Sequence, residues 1–290
     1  MIIELEVILG KTAGFCYGVK RAVTGAEEEL KNAKKIYCLG EIVHNNNVIE
    51  DLRKKGIEFI NDIKEAKGKT IIRAHGVTKE VYEIAKKMNI ELRDLTCPKV
   101  LKIHEIAEEY SKKGYFIALI GNKDHPEIIG IRSFCTKNSI IIKNIEEIEK
   151  LVEAINKSNV KNILIISQTT FNLKKFDDIV KLIKSDFDNK IFNIEIIKTI
   201  CPATEMRQKE TQDIAQQVDY MIIVGDKKSS NTNKLYEIAL AYCEKTIFIE
   251  NSKELDENEY KNKNKIGIMA GASTPKKDIE DVFEKVVLRL

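Results

Sequence analysis

Cys16, Cys97 and Cys201 each open the same succession of residues able to do chemistry. At 28 residues after each cysteine stands His44, His125 or Ser229, itself four residues past Gly40, Gly121 or Gly225. A third polar loop follows: His75-Gly76, then Gln168-Thr169-Thr170, then Ala272-Ser273-Thr274. Counted to His75, Thr169 and Ser273, its distance from the cysteine is 59, 72 and 72 residues. An internal repeat dictates architecture before any local reading does. This one implies three similar units, each giving one thiolate and two polar loops to something they share. Three equivalent thiolates suit a metal cluster with one position left open.

A cysteine in a chain without secretory features is ordinarily a small buried hydrophobe. That reading suits Cys38 inside Ile36-Tyr37-Cys38-Leu39, Cys243 at a helix end, and Cys135, which has no partner in the repeat. Cys16, Cys97 and Cys201 are different, being in register and at glycine-flanked or proline-marked helix starts, a position that favours the thiolate. Structural zinc sites use close ligand pairs and four ligands. No Cys-x-x-Cys occurs here, and the three cysteines lie 81 and 104 residues apart. Mononuclear zinc stays open but needs a fourth ligand that the repeat does not supply. A cubane iron–sulfur cluster is large enough to collect thiolates from three lobes, and Cys-Pro recurs in such ligation. Three thiolates on four irons leave one iron for substrate, so the pattern points to a catalytic 4Fe–4S cluster.

Of the four histidines, His104 lies in the helical pattern from Val100 to Ile106 and is expected to be a partly buried surface residue. His44, His75 and His125 stand in polar loops, where imidazole can hydrogen-bond a diphosphate and, when protonated, add charge. Ser229, Ser230, Asn231 and Ser273 complete an anion pocket at helix starts, although each alone reads as an ordinary N-cap. The run from Gly225 to Ser230 lacks the Gly-Lys-Ser/Thr ending of a nucleotide-hydrolysing loop. A phosphorylated small molecule is therefore expected, without nucleotide hydrolysis. Glu127 follows His125 by two residues. A first-turn glutamate usually just offsets the helix dipole, but here it is the one acid in the repeated loops placed to deliver a proton, with Thr169 as relay.

These residues need a scaffold of alternating strands and helices, and the chain provides it. Strands are expected over Ile36–Leu39, Thr70–Arg73, Tyr115–Ile120, Asn162–Ile166, Tyr220–Val224 and Lys265–Met269. Amphipathic helices are expected over Lys79–Met88, Ile103–Lys112, Phe176–Ile183, Leu235–Tyr242 and roughly Pro275–Arg289. Such alternation argues for an α/β fold with parallel sheets and crossover helices. The four prolines follow Cys97, His125, Cys201 and Ser273-Thr274. Proline favours the first turn of a helix, so the polar residues before them mark helix N-termini, as do Ser229 and Thr78. At the edge where strands end and helices begin, open α/β sheets bind ligands and helix N-termini favour anions. Lobe boundaries fall near Asp94 and Ile197, giving residues 1–95, 96–197 and 198–290 in a pseudo-threefold arrangement around the cluster.

The composition of 290 residues narrows the function classes. Lys+Arg 48 against Asp+Glu 45 gives +3, too balanced for a nucleic-acid footprint. The acidic start lacks a basic signal-peptide region, and no apolar run is long enough for a membrane span. A cytoplasmic protein is expected, with no membrane or nucleic-acid partner and with thiols rather than disulfides.

Taken together, the motifs resemble a known family. Gly14-Phe15-Cys16-Tyr17-Gly18-Val19, His44-Asn45, Arg73-Ala74-His75-Gly76, Thr96-Cys97-Pro98 and His125-Pro126-Glu127 are similar to those of 4-hydroxy-3-methylbut-2-enyl diphosphate reductases. So are Ser167-Gln168-Thr169-Thr170, Thr199-Ile200-Cys201, Ser229-Ser230-Asn231-Thr232 and Ala270 to Pro275. The resemblance implies a three-lobed cloverleaf around one 4Fe–4S cluster and the last reaction of the methylerythritol phosphate route to isoprenoids. It implies that Cys16, Cys97 and Cys201 hold the cluster, and that His44, His75, Ser229, Ser230, Asn231 and Ser273 hold the diphosphate. His125, Glu127 and Thr169 would serve the hydroxyl and the proton. Two electrons from ferredoxin or flavodoxin would remove the hydroxyl as water and leave isopentenyl and dimethylallyl diphosphate. Rival readings are a redox-neutral cluster hydro-lyase, which needs no reductant, and a cluster-based regulator that binds nucleic acid.

Overall fold

The computed structural model describes residues 5–33, 35–187 and 191–288. Arg289, the expected end of the last helix, lies outside them, and the described part of that helix is Lys276–Leu288. Strand β1 is Glu6–Leu9, and β2 to β5 are Ile36–Leu39, Ile57–Ile60, Thr70–Ile72 and Leu92–Asp94. Strands β6 to β9 are Phe116–Ile120, Ser139–Ile142, Asn162–Ser167 and Asn193–Ile196. The remaining three, β10 to β12, are Tyr220–Val224, Thr246–Ile249 and Lys265–Ala270. The expected strands Ile36–Leu39 and Tyr220–Val224 are met to the residue, and the other four are within one residue at each end.

The strands form three four-stranded sheets in the orders β3-β2-β4-β5, β7-β6-β8-β9 and β1-β12-β10-β11. Every pairing is parallel. One order is therefore used three times, with the first strand of each set between the second and the third. In the third sheet the outer place beside β12 is filled by β1. Glu6–Leu9, counted above within residues 1–95, thus belongs to the sheet of the last lobe. Among the described residues no strand follows β12 in sequence, and an open edge there would leave a row of backbone groups unpaired. By compactness the chain divides in two: Met1–Lys20, Val43–Asp51 and Pro202–Leu290 form one unit, Arg21–Ile42 and Leu52–Cys201 the other.

Central strands that are apolar throughout, such as Phe116–Ile120 and Tyr220–Val224, are buried at every residue, as sheets covered on both faces require. Alternate side chains of β6 and β8 build two cores. Ala118, Ile120 and Ile165 pack with Leu151 and Ile179 on one face, and Ile117, Leu119 and Leu164 with Ile103 and Ile128 on the other. In the third sheet Ile222, Val224 and Ile268 pack under Val282 and Val286, while Met221, Ile223 and Met269 face Ile214 and Leu235. The polar loops thus stand on rigid sheet ends.

Close approach behind β12 depends on glycine. A Cβ on Gly271 would lie 2.0 Å from Thr232 Oγ1, and Thr232 is fully buried. Gly271→Ala should therefore cost about 1–3 kcal/mol by overpacking, read as a lower urea midpoint of the metal-free protein at unchanged slope. Thr232→Ala added to it should recover part of that loss. Purely additive losses would remove the close-approach account.

Candidate active site

In each sheet the first and third strands are neighbours, with last paired residues Leu39 and Ile72, Ile120 and Ser167, Val224 and Ala270. The loops leaving such a pair diverge, which makes the crevice where open α/β sheets take ligands. The second and third polar loops of each repeat leave from these pairs. Their registers differ by one residue from simple counting. The turn bonds Gly76 N–H to Arg73 O, Phe171 N–H to Gln168 O and Thr274 N–H to Gly271 O are equivalent. They set Thr170, rather than Thr169, opposite His75 and Ser273, and set Thr169 opposite Ala74 and Ala272. Counting from the cysteine slips because the connections vary in length, whereas the ladder does not.

The cysteines separate into two groups. All six are free of disulfides. Cys16, Cys97 and Cys201 are partly exposed, directly precede the helices Tyr17–Asn32, Pro98–Lys112 and Pro202–Ala215, and follow β1, β5 and β9. Their N–H groups donate to the equivalent carbonyls of Ala272 (3.0 Å), Ala74 (2.9 Å) and Thr169 (3.0 Å). By contrast, the Cys38, Cys135 and Cys243 thiols donate to the carbonyls of Gly40, Ile131 and Val218. Burial pushes the Cys38 thiol up to about 12 and Cys135 to about 11. The first group fits the donor set of a metal cluster, whereas the thiols of the second are engaged by backbone carbonyls.

In the unit Arg21–Ile42 and Leu52–Cys201, His125 is the N-cap of helix Pro126–Ser133, and its Nδ1 accepts the Glu127 N–H at 3.1 Å. That bond leaves Nε2 to carry the proton of the neutral ring and to donate. His75 meets His125 edge to face, with ring centroids 5.5 Å apart. Glu127 is only 2% exposed. Its Oε1 accepts the Thr169 N–H at 2.6 Å and its Oε2 the Thr169 hydroxyl at 2.7 Å. Burial lifts its carboxyl to about 7, against those two bonds, which lower it. A glutamate that exchanges a proton near neutrality suits general acid chemistry.

In the other unit, Ser229 caps helix Ser230–Tyr242 by accepting the Thr232 N–H, and Ser230 and Asn231 form its first turn. Asn231 is 3% exposed, yet neither of its side-chain amide atoms has a partner. A buried amide is costly to leave unmet, and this one is able to take a polar ligand. The Ser273 hydroxyl donates to the His44 carbonyl at 2.7 Å, bringing those two loops together. Asn45, not His44, is the capping residue of helix Asn46–Lys55, its Oδ1 accepting the Val48 N–H at 3.0 Å. The loop after Gly40 is one residue longer than its two counterparts.

One expectation fails. His104 is buried, 4% exposed, and stacks on Phe134 at 4.4 Å. Burial lowers its imidazole to about 4. It fills space beside Gly76, and its helical spacing from Val100, Ile103 and Ala107 was the signal of its burial. Thr78 stands at a helix start but makes no side-chain cap; the Lys79 N–H goes instead to Ser133.

Residues 7–287 match the family model described as LytB protein. A 4-hydroxy-3-methylbut-2-enyl diphosphate reductase of Caldanaerobacter subterraneus subsp. tengcongensis is 40% identical over 288 residues, 97% of this chain and 96% of that protein. One of the same name from Clostridium acetobutylicum is 42% identical over 97% of this chain, which spans 43% of its length. Among solved structures, the E-1-hydroxy-2-methyl-but-2-enyl-4-diphosphate reductase from Plasmodium falciparum superposes with a TM-score of 0.88 at 34% identity, covering 97% and 87% of the two chains. A further structure, of the (E)-4-hydroxy-3-methyl-but-2-enyl diphosphate reductase described as the terminal enzyme of the non-mevalonate pathway, gives 0.69 at 36% identity over 97% and 99%. No helix among the described residues is long and apolar enough to cross a membrane.

The two groups of cysteines should differ in reactivity. In metal-free protein at pH 8, iodoacetamide should modify Cys16, Cys97 and Cys201 well before Cys38, Cys135 and Cys243, as followed by peptide mass spectrometry. Uniform modification would erase the distinction.

Proposed function

The chain belongs to the LytB protein family, and from that premise we infer that it is an iron–sulfur enzyme that reduces 4-hydroxy-3-methylbut-2-enyl diphosphate, the terminal reaction of the non-mevalonate pathway. The finer reading that follows is our proposal. Cys16, Cys97 and Cys201 hold one 4Fe–4S cluster, a role suited to their partly exposed thiols at helix starts. Bound there, the cluster supplies two electrons and a Lewis-acid position for the substrate hydroxyl. The diphosphate is held by Ser229, Ser230, Asn231, Ser273, His44 and His75, with the helix start at Ser230 and the unmet Asn231 amide as its strongest supports.

The observation that carries the mechanism is Glu127, buried and doubly bonded to Thr169. The protonated carboxyl passes its proton through the Thr169 hydroxyl to the leaving oxygen. His125, with Nδ1 engaged by the Glu127 N–H, orients that oxygen through Nε2–H. The balance is two electrons and two protons in, the C–O bond broken, a C–H bond formed, and water and isopentenyl or dimethylallyl diphosphate out. The electrons come from a small donor such as ferredoxin or flavodoxin, in a cytoplasmic setting. Need for reductant separates this reading from a hydro-lyase, and salt-sensitive RNA binding would be the mark of the regulatory alternative.

Two sets of variants test it. Cys16→Ser, Cys97→Ser and Cys201→Ser should each lose most iron and sulfide after anaerobic reconstitution, whereas Cys38→Ser, Cys135→Ser and Cys243→Ser should keep both. Equal iron in all six overturns the ligand assignment. Glu127→Gln should lower kcat about 10²- to 10⁴-fold at normal iron content and near-normal substrate affinity. Wild-type kcat should fall as pH rises past about 7, where the carboxyl ionises, and the variant should lack that limb. Because the folded protein holds this proton more tightly than the unfolded chain, burial of the carboxylate costs stability increasingly between pH 4.5 and 7. The variant should therefore gain stability relative to wild type at pH 8. A near wild-type rate with an intact cluster would move the proton donor to His125.

A further inference from the structure

The loop before Cys16 is held by two side chains that the reaction itself does not use. Helix Pro202–Ala215 presents Arg207 and Glu210 one turn apart. The Glu210 carboxylate accepts the Lys11 N–H at 2.7 Å, the Thr12 N–H at 2.8 Å and the Thr12 hydroxyl. Arg207 donates from Nε to the Thr12 carbonyl at 2.8 Å and from Nη2 to the Gly14 carbonyl at 2.7 Å. Three donors and two acceptors of one short loop thus end on a single pair of charged side chains. Arg207 is 4% exposed. Its rigid planar fork addresses two carbonyls from separate nitrogens in a fixed geometry, unlike the single flexible ammonium of a lysine. Gly14, at φ +96°, lies buried in this grip, its Cβ position 3.0 Å from Ile279 Cδ1.

The same device recurs within the other unit. Arg21 donates from Nη1 to the carbonyl of Thr96, the residue before Cys97, at 3.0 Å. The loop before Cys201 is held differently, by its own Thr199 hydroxyl, which donates to the Ser167 carbonyl at 2.6 Å and accepts the Ser167 N–H at 2.7 Å. We propose that Arg207 with Glu210, and Arg21, are positioning residues for Cys16 and Cys97, each fixing the backbone that aims one cluster thiolate. This rests on the reading that those cysteines are cluster ligands. A hydrogen bond to a charged group is worth more than a neutral one, so a loop held by several of them keeps its cysteine in place before metal arrives.

Thiol-specific kinetics in the metal-free protein test this without any activity. Arg207→Gln should speed alkylation of Cys16 about tenfold or more, as for loss of charge-assisted bonds from a locally opening loop. Cys97 and Cys201 should be unchanged. Arg21→Gln should do the converse, speeding Cys97 alone. Arg207→Lys should restore part of the protection, and the milder Glu210→Gln should act in the same direction as Arg207→Gln if that variant folds poorly. In reconstituted protein, Arg207→Gln should lose iron to a chelator faster than wild type. Equal acceleration at all three thiols, or none at Cys16, overturns the proposal. If instead Cys16→Ser keeps its iron while Arg207→Gln still exposes Cys16, the clamp stands and the ligand reading fails.

Discussion

The N–H groups of Cys16, Cys97 and Cys201 close onto the carbonyls of Ala272, Ala74 and Thr169, each two residues past the end of a third strand. A cysteine whose sulfur is left to bind metal, the role proposed for these three, has to be fixed through its backbone instead. This bond does so, and it ties every cysteine to the turn that carries the third polar loop. The cysteine, the loop after the first strand and the loop after the third strand then share one sheet edge. The parallel register makes that sharing obligatory, because first and third strands are adjacent in all three sheets.

The two units carry opposite electrostatic tasks. Around Ser229, Ser230 and Asn231, a helix N-terminus and an unmet buried side-chain amide favour an anion. Around Glu127, apolar burial disfavours one, and the carboxyl keeps its proton to about pH 7. Both environments start from the same local plan, a strand ending in glycine and a capped helix. What differs is whether the first turn carries hydroxyl and amide groups or a carboxyl pressed against Ile-rich packing, with Ile128 and Ile131 fully buried beside it.

Much of this was legible in the chain itself. Pro98 and Pro126 announced helix starts because a residue without an N–H loses nothing there, and Cys97 and His125 are indeed the residues just before those helices. Apolar runs such as Tyr220–Val224 announced doubly covered strands. The repeat located all three cysteines, but it could not fix loop equivalences to the residue. Thr170 and Asn45 occupy the places that counting had given to Thr169 and His44, since one inserted loop residue is invisible to spacing and plain in a hydrogen-bond ladder. The burial of His104 was written in its helical phase and was obscured by its polarity. The membership of β1 in the third sheet depends on pairing between sequence-distant strands, which no local pattern records. Arg207 and Glu210 were equally silent, because charged residues on a helix usually face water.

That membership of β1 sets an order of events during synthesis. Glu6–Leu9 leaves the ribosome long before its partner Lys265–Ala270, from which most of the sequence separates it. At translation rates of about 5–20 residues per second, the nascent strand waits on the order of ten seconds or more. The sheets built from β2 to β5 and from β6 to β9 need no such delay, since each is encoded contiguously. Until those later segments are made, Cys16 has neither the Ala272 carbonyl nor the Glu210 carboxylate to fix its loop. Completion of the Cys16 loop is thereby deferred until the last strand of the third sheet and the turn after it have been made.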